Sequence, residues 1–459
     1  MSIPAQITIQ QWDSHYLSLC QEGLDEPFFG ETLSRYIDDG DTRLRHLKFD
    51  NSPAALMLWN MLLSENQRLK RYKADGKKII AAMKDLGTIP VIVLSFENMV
   101  AFYPDGAWWT PCLMEHNEGL FQLAAQYGLD DSYCPVRAML SAFINMEHFP
   151  APDKIICSTG AVCDDFSAIS QCLHHLGFEI NYWQIPHRRH PEPNEAFDVL
   201  PGGFKAPKSQ VSFVRNQLEY VCNLLQASAG QLLTNQMLAN GIKKANAIRT
   251  ILGQIRELSY TAQIAPMGSL EMLIAEMFSI HFCSDYAHAL NVLGQLHSEI
   301  QKRVDAGIGV LPADAARIFW INPVADLRAM NLLEESGGRV CGTEYLISHA
   351  MDLIPEDIEP MEALAQIAIA DTMVGSLDDR AQRIQKDIKR FGAEGVIVSR
   401  IPGASHCAYE ASVIGGIIRD STSLPVVEIE VSTICDSLEP AIRTRMEALI
   451  ESIKQRRQI

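Results

Sequence analysis

At 459 residues, 47% hydrophobic and 21% charged, the chain exceeds one ordinary domain and has the composition of a globular protein with a sizeable core. Its net charge of −17 argues against a nucleic-acid partner, because affinity for phosphate backbones needs clustered Lys and Arg. The opening MSIPAQITIQQW has no basic stretch followed by an apolar one, and no apolar run approaches the roughly 20 residues that span a bilayer. A cytoplasmic chain with no membrane partner is therefore expected.

Residues 1–87 read as an N-terminal helical segment. SPAALMLWNMLLSENQRLKRY (52–72) carries a mixed apolar face, and GKKIIAAMKDLG (76–87) reads as a short amphipathic helix closed by Gly87. A first α/β domain is expected over 88–204. It opens with TIPVIVLSF (88–96), read as a strand buried on both faces. Within it, 151–186 is a strand–helix–strand unit. KIICS is the first strand, the helix places Phe166, Ile169, Leu173 and Leu176 on one side, Gly177 ends that helix, and EINYWQI is the second strand. Residues 205–308 are almost free of proline and repeat apolar residues at three- and four-residue steps, which predicts a run of helices. The α/β pattern resumes over 309–459. RIFWINP, RVCGTEYL, EGVIVSRIP (394–402) and PVVEIEV (425–431) read as strands. Helices are expected over DLRAMNLLEESGG (326–338), a long stretch near 363–391, HCAYEASVIGGIIRDS, and a basic helix from about 438. The fold class is thus α/β: two Rossmann-like parallel-sheet domains, with an N-terminal helical segment and a helical insertion between them.

Eleven cysteines, an odd number in a chain of this kind, count against a disulfide framework, and the absence of CxxC and HExxH disfavours structural zinc. Cysteine is among the most buried residue types, so the majority are expected in the core. Three sit elsewhere. In open parallel sheets, ligands bind at the carboxyl ends of the strands. Cys163 (STGAVCDD) and Cys407 (RIPGASHCAYE) each follow a predicted strand and precede a helix, and Cys134 (DDSYCPVRAML) precedes another helical start with Pro135 at its first position. Helix N-termini favour a thiolate. On spacing alone, these are ligands of a metal cluster in an interdomain cleft, or small residues of three loops.

Four stretches in order resemble the 2-hydroxyacyl-CoA dehydratase family, which includes benzoyl-CoA reductase subunits. They are CPVRAML (134–140); PDKIICSTGAVCDDFSAISQCLHHLGFEINYWQIP; RIFWINPVADLRAMNLLEESGGRVCGTEY, with its Glu-x-x-Gly-Gly turn; and EGVIVSRIPGASHCAYEASVIGGIIRDSTSLPVVEIEV with the RTRMEALIE helix. The correspondence runs from about residue 85 to the end. It implies a [4Fe-4S] cluster on Cys134, Cys163 and Cys407, with the fourth iron open to substrate. The implied reaction is a one-electron reduction of an acyl-CoA thioester carbonyl to a ketyl radical. That radical either loses the hydroxyl of a 2-hydroxyacyl-CoA, a lyase outcome, or leads to reduction of an aromatic ring, an oxidoreductase outcome. The implied partners are a related second subunit and an ATP-dependent iron–sulfur activator. Consistent with an outside ATPase, the chain lacks GxxxxGK[ST].

The resemblance has departures. Ser405-His406 and Ala408 flank the third cysteine where the family more usually has Lys-Phe before and Asp after, and 90–106 is only loosely similar to its Pro-Glu-Glu-Leu opening. Some relatives carry a double-cubane cluster, for which Cys157, Cys341 and Cys112 are the extra candidates. The strand position of Cys157 favours core packing and a single cluster. The cluster His187-Arg188-Arg189-His190 reads either as a clamp for coenzyme A phosphates or as a solvated loop. His174 and His175 read as ordinary helix residues. Ser269 resembles the family's acyl-pocket region or is a plain N-cap, and Asp164 is a capping candidate. The competing function is a non-catalytic electron-relay or structural partner subunit. A Rossmann-type nucleotide enzyme is disfavoured because no GxGxxG follows a predicted strand.

Overall fold

The computed structural model describes residues 3–38, 42–83, 87–104, 117–161, 163–324, 326–431 and 438–458, apart from the side chains of Pro27, Thr42, Asn117, Glu118, Ser405, His406 and Cys407. Apolar runs flanked by helices build two four-stranded parallel sheets. The first contains β3 (Lys78–Met83), β4 (Met99–Phe102), β5 (Lys154–Gly160) and β6 (Ile180–Ile185), in the order β4-β3-β5-β6. The second contains β9 (Ala316–Ile321), β10 (Gly338–Glu344), β11 (Gly395–Arg400) and β12 (Val426–Glu430), in the order β10-β9-β11-β12. Two antiparallel ribbons accompany them: β1 (Gln6–Thr8) with β2 (Lys48–Asp50), and β7 (Phe197–Val199) with β8 (Lys205–Pro207).

Two local expectations are reversed. GKKIIAAMKDLG contributes the internal strand β3 rather than a helix, and TIPVIVLSF contributes a short helix, Ile89–Val93, rather than a strand. Both follow from proline chemistry and burial. Pro90 lacks the N–H that a central strand must donate, yet suits the first turn of a helix, where it sits. Ile79 to Met83 are all buried because β3 has packed layers on both faces. Ile80 and Ala82 face the main core, while Ile79, Ala81 and Met83 face a second core with Phe102, Phe143, Ile155 and Leu173. The edge strand β4, in a stretch not expected to form one, completes the sheet.

The unit β5, helix Asp164–His175, β6 matches the strand–helix–strand reading. The helical stretch also forms as expected, as helices Lys208–Ala229, Asn235–Thr261, Ser269–His281 and Tyr286–Ala306. Every residue of Ser269–His281 is buried. It packs on the N-terminal helix Pro53–Leu63, on Asn235–Thr261 and on helix Arg328–Glu335 of the second sheet, so one core spans all these parts. The expected long helix near 363–391 is two, Pro360–Ala370 and Leu377–Phe391. Between them Gly375 lies against an arginine from the first sheet: a Cβ there would come 2.0 Å from Arg188 Nη2. Among the described residues no helix is long and apolar enough to cross a membrane.

Candidate functional site

Parallel strands deliver their following loops to one edge; Cys163 and Cys407 follow β5 and β11 in this way, whereas Cys134 lies between helix Asn117–Gln126 and the turn Pro135–Arg137. β5 ends at Gly160, whose φ of +95° and close approach to β6 suit only glycine; a Cβ would lie 2.2 Å from the Ile185 carbonyl oxygen. Three residues on, Cys163 is the N-cap of helix Asp164–His175. Its half-buried thiol donates to Asp165 Oδ2 at 3.6 Å. Asp164 and Asp165 occupy the first turn, where carboxylates complement the helix dipole, so Asp164 is a first-turn residue and not the cap. His174 and His175 lie exposed in the last turn of the same helix, the favourable end for a cation.

Cys134 immediately precedes the short 3-10 turn Pro135–Arg137, which leads into helix Ala138–Asn145. Arg137 shapes this loop from beneath. It is buried, donates to the Tyr133 carbonyl and to Asp131 Oδ1, each at 2.6 Å, and its guanidinium lies 4.5 Å from the Phe121 ring centroid. Cys407 falls in the first turn of helix Ser405–Thr422, after β11; its side chain lies outside the described residues.

The segments carrying these cysteines meet. The turn Pro135–Arg137 packs on helix Asp164–His175. From the other sheet, Ile401 and Ala404 are buried against Cys134. Gly403, at φ +78°, rests on the 132–133 backbone so closely that a Cβ would lie 2.4 Å from the Tyr133 carbonyl carbon. The Cys134 loop is therefore wedged between the Cys163 helix and the turn that starts the Cys407 helix. Among the described residues no group of three or more Cys, His, Asp or Glu is assembled into a metal site, and the Cys407 side chain is not among them. Cys157 is fully buried in β5. Cys341 is fully buried in β10, where desolvation pushes its thiol up to about 12. Cys112 lies outside the described residues.

This chain belongs to the 2-hydroxyglutaryl-CoA dehydratase D-component family. The family model matches residues 79–453, from β3 into the last helix, and so takes in both parallel sheets and all three cysteine loops. No curated protein matches the sequence.

Other residues find different roles from those the family motif suggests. Arg188 is buried: its backbone N–H donates to Val374 O at 2.8 Å, Nη1 to Ile369 O and Asp371 O at 2.7 and 3.0 Å, and Nη2 to Asp379 Oδ2 at 3.0 Å. That geometry ties β6 to the second sheet's helices and leaves this guanidinium turned away from solvent phosphates. Arg189 pairs with Glu195 through two 2.6 Å bonds. Ser269 is buried at the start of its helix with Gly268 as cap; its N–H donates to Glu334 Oε1 and its Oγ accepts from Val340 N–H. Glu271, on the same turn, accepts from Asp50 N–H and Trp59 Nε1 through Oε1. Burial first, and the nearby Asp50 charge second, push the Glu271 carboxyl up to about 8.

Sequence reasoning passed over a buried network at the carboxyl edge of the second sheet. Asn322, just past β9, adopts φ +71°, and its Oδ1 accepts from Arg380 Nη2 at 2.6 Å. Arg380 also donates to both carboxylate oxygens of Glu344 (2.8 and 2.7 Å) and to Glu410 Oε2 (2.8 Å). A polar Asn-Pro after a strand and an Arg in an acidic helix start were the only signals, and neither points to a partner in sequence.

Proposed function

We propose that this chain is the cluster-bearing component of an acyl-CoA dehydratase, with Cys134, Cys163 and Cys407 as the ligands of a [4Fe-4S] cluster and a 2-hydroxyacyl-CoA as substrate. The observation that carries the reading is the wedge: Gly403 and Ile401 of one sheet pressed on the Cys134 loop, and that loop pressed on the Cys163 helix. The residues suit such a group. Two are half-buried thiols, and thiolates are the usual ligands of iron–sulfur clusters. When bound, a cluster held by three thiolates supplies low-potential electrons and one open iron position.

The chain's own residues prepare that site. The N-terminus of the 12-residue helix Asp164–His175 favours negative charge at Cys163. The Cys163 proton sits toward Asp165, and ligation requires its release, so loading falls as pH is lowered. Ile401 and Ala404 cover Cys134 with apolar surface and limit water at that ligand. We assign electron supply to a separate ATP-dependent activator and completion of the substrate cleft to a related subunit, in a reducing cytoplasm. The two α/β domains, with the N-terminal and inserted helical segments packed on them, then act as jaws of one site. Dehydration is preferred over ring reduction because the matched family is a dehydratase component.

The test is anaerobic purification followed by iron and sulfide determination. Separate Cys→Ser changes at 134, 163 and 407 should each remove most of the iron, since serine is a poor ligand for such clusters. The same change at Cys20, on helix Ile9–Gln21, or at Cys222, a core thiol that burial pushes up to about 12, should leave it unaltered. Full iron in all five variants would sink the assignment.

A further inference from the structure

Neighbouring residues at the start of helix Leu377–Phe391 point in two directions. Asp379 holds Arg188, which arrives from β6 of the first sheet. Arg380 holds Glu344 at the end of β10, Asn322 at the end of β9, and Glu410 on helix Ser405–Thr422, one turn beyond Cys407. The chain Arg188–Asp379, Arg380–Glu410 thus runs from the sheet that carries Cys163 to the helix that carries Cys407. Its arginines are nearly sealed, with side-chain exposures of 1% and 2%. Removing one partner of such a buried pair leaves an uncompensated charge, so the links are stiff. The Arg380 fork reaches two carboxylates at once; a lysine ammonium cannot reproduce that geometry.

We propose that Arg188, Asp379, Arg380 and Glu410 form a clamp that sets the Cys407 helix in register with the Cys163 helix, and that Arg380 and Glu410 are positioning residues for the third ligand. The inference rests on the three-cysteine reading above. It adds residues that make no contact with the reacting atoms and govern the geometry of the site through the helix they hold. Glu410 is the informative handle. Its side chain is 28% exposed, so Glu410→Ala cuts the link to Arg380 while Glu344 still neutralises the arginine.

The experiment compares full-length wild type, Glu410→Ala, Arg380→Lys and a control, Arg383→Gln. The control is on the same helix as Arg380 but breaks a pair with Asp352, which lies just after the turn Ser348–Met351. Hydrogen exchange over 405–412 in the iron-free chain should quicken about tenfold in Glu410→Ala and Arg380→Lys, and stay unchanged in the control. In the anaerobically loaded, dithionite-reduced chain, the same two variants should shift the cluster's electron paramagnetic resonance signal and shorten iron retention; Glu410→Ala should melt near wild type, while Arg380→Lys, at a sealed pair, should melt lower. Exchange, spectrum and retention all equal to the control overturn the clamp. Faster exchange with an unaltered spectrum and retention overturns the positioning role and leaves only bracing. If wild type binds no iron, the three-cysteine reading fails, and the exchange comparison alone still decides whether the clamp holds that helix.

Discussion

Replacing Glu271 by glutamine is the sharpest test of how the molecule balances charge in its core. Glu271 is fully buried, and its neighbours are Asp50, which is paired with Arg303 through bonds of 2.6 and 3.0 Å, and Glu334, whose carboxyl burial also pushes upward. Asp50, Glu271 and Glu334 thus lie close together, and the Arg303 guanidinium beside Asp50 is shared with Glu299, a shortage of positive charge that favours keeping a proton on Glu271. The folded value of about 8 lies above the ordinary 4.5, so between those values the folded chain holds a proton that the unfolded chain has lost. Stability from this group is therefore intact below about 4.5 and declines as pH rises toward 8. Each unit is worth about 1.4 kcal/mol, so by pH 7 the wild type has lost about 3 kcal/mol on this account. Glutamine is neutral at every pH and keeps an oxygen for Asp50 N–H and Trp59 Nε1. Glu271→Gln should match wild type near pH 5 and exceed it by about 3 kcal/mol at pH 7, a widening gap readable as anaerobic urea midpoints at pH 5, 6, 7 and 8. Parallel midpoint curves for the two proteins would refute the reasoning.

Gly403→Ala should cost about 3 kcal/mol, combining a left-handed alanine with a clash against the Tyr133 carbonyl, and should lower iron content as well, because both effects fall on the wedge. Thermal melts and iron assays of the same preparation check this. The isolated chain should be inert toward 2-hydroxyacyl-CoA thioesters, with turnover requiring both the related subunit and the reduced activator with ATP. Brief air exposure should then abolish turnover, and sustained air-stable turnover by the chain alone would overturn the proposed function.

Much of this molecule is decided by local chemistry. The order of strands and helices after residue 150 follows from period and punctuation: KIICS, RIFWI and GVIVS are apolar runs of strand length, and Gly177 and Gly392 end their helices. Cys163 and Cys407 could be singled out because strand-to-helix loops of parallel sheets converge on one edge whatever their separation in sequence, and Cys134 because Pro135 marks a helical start. Where two local rules compete, composition alone misleads: the apolar content of TIPVIVL points to a strand, while Pro90 forbids a central one. What no local rule contains is pairing between distant charges. Residue 375, between two helices, has to be glycine because Arg188, 187 positions earlier, occupies the space a side chain would need. The raised carboxyl of Glu271 depends on its burial first and then on Asp50 and Glu334 arriving from two other segments, and the placement of the Cys407 helix depends on Arg380 reaching Glu410 and Glu344 together. Periodicity reports which face of an element is buried; only the assembled tertiary structure decides what lies against it, because desolvation makes a buried charge answer to whichever partner the fold brings near.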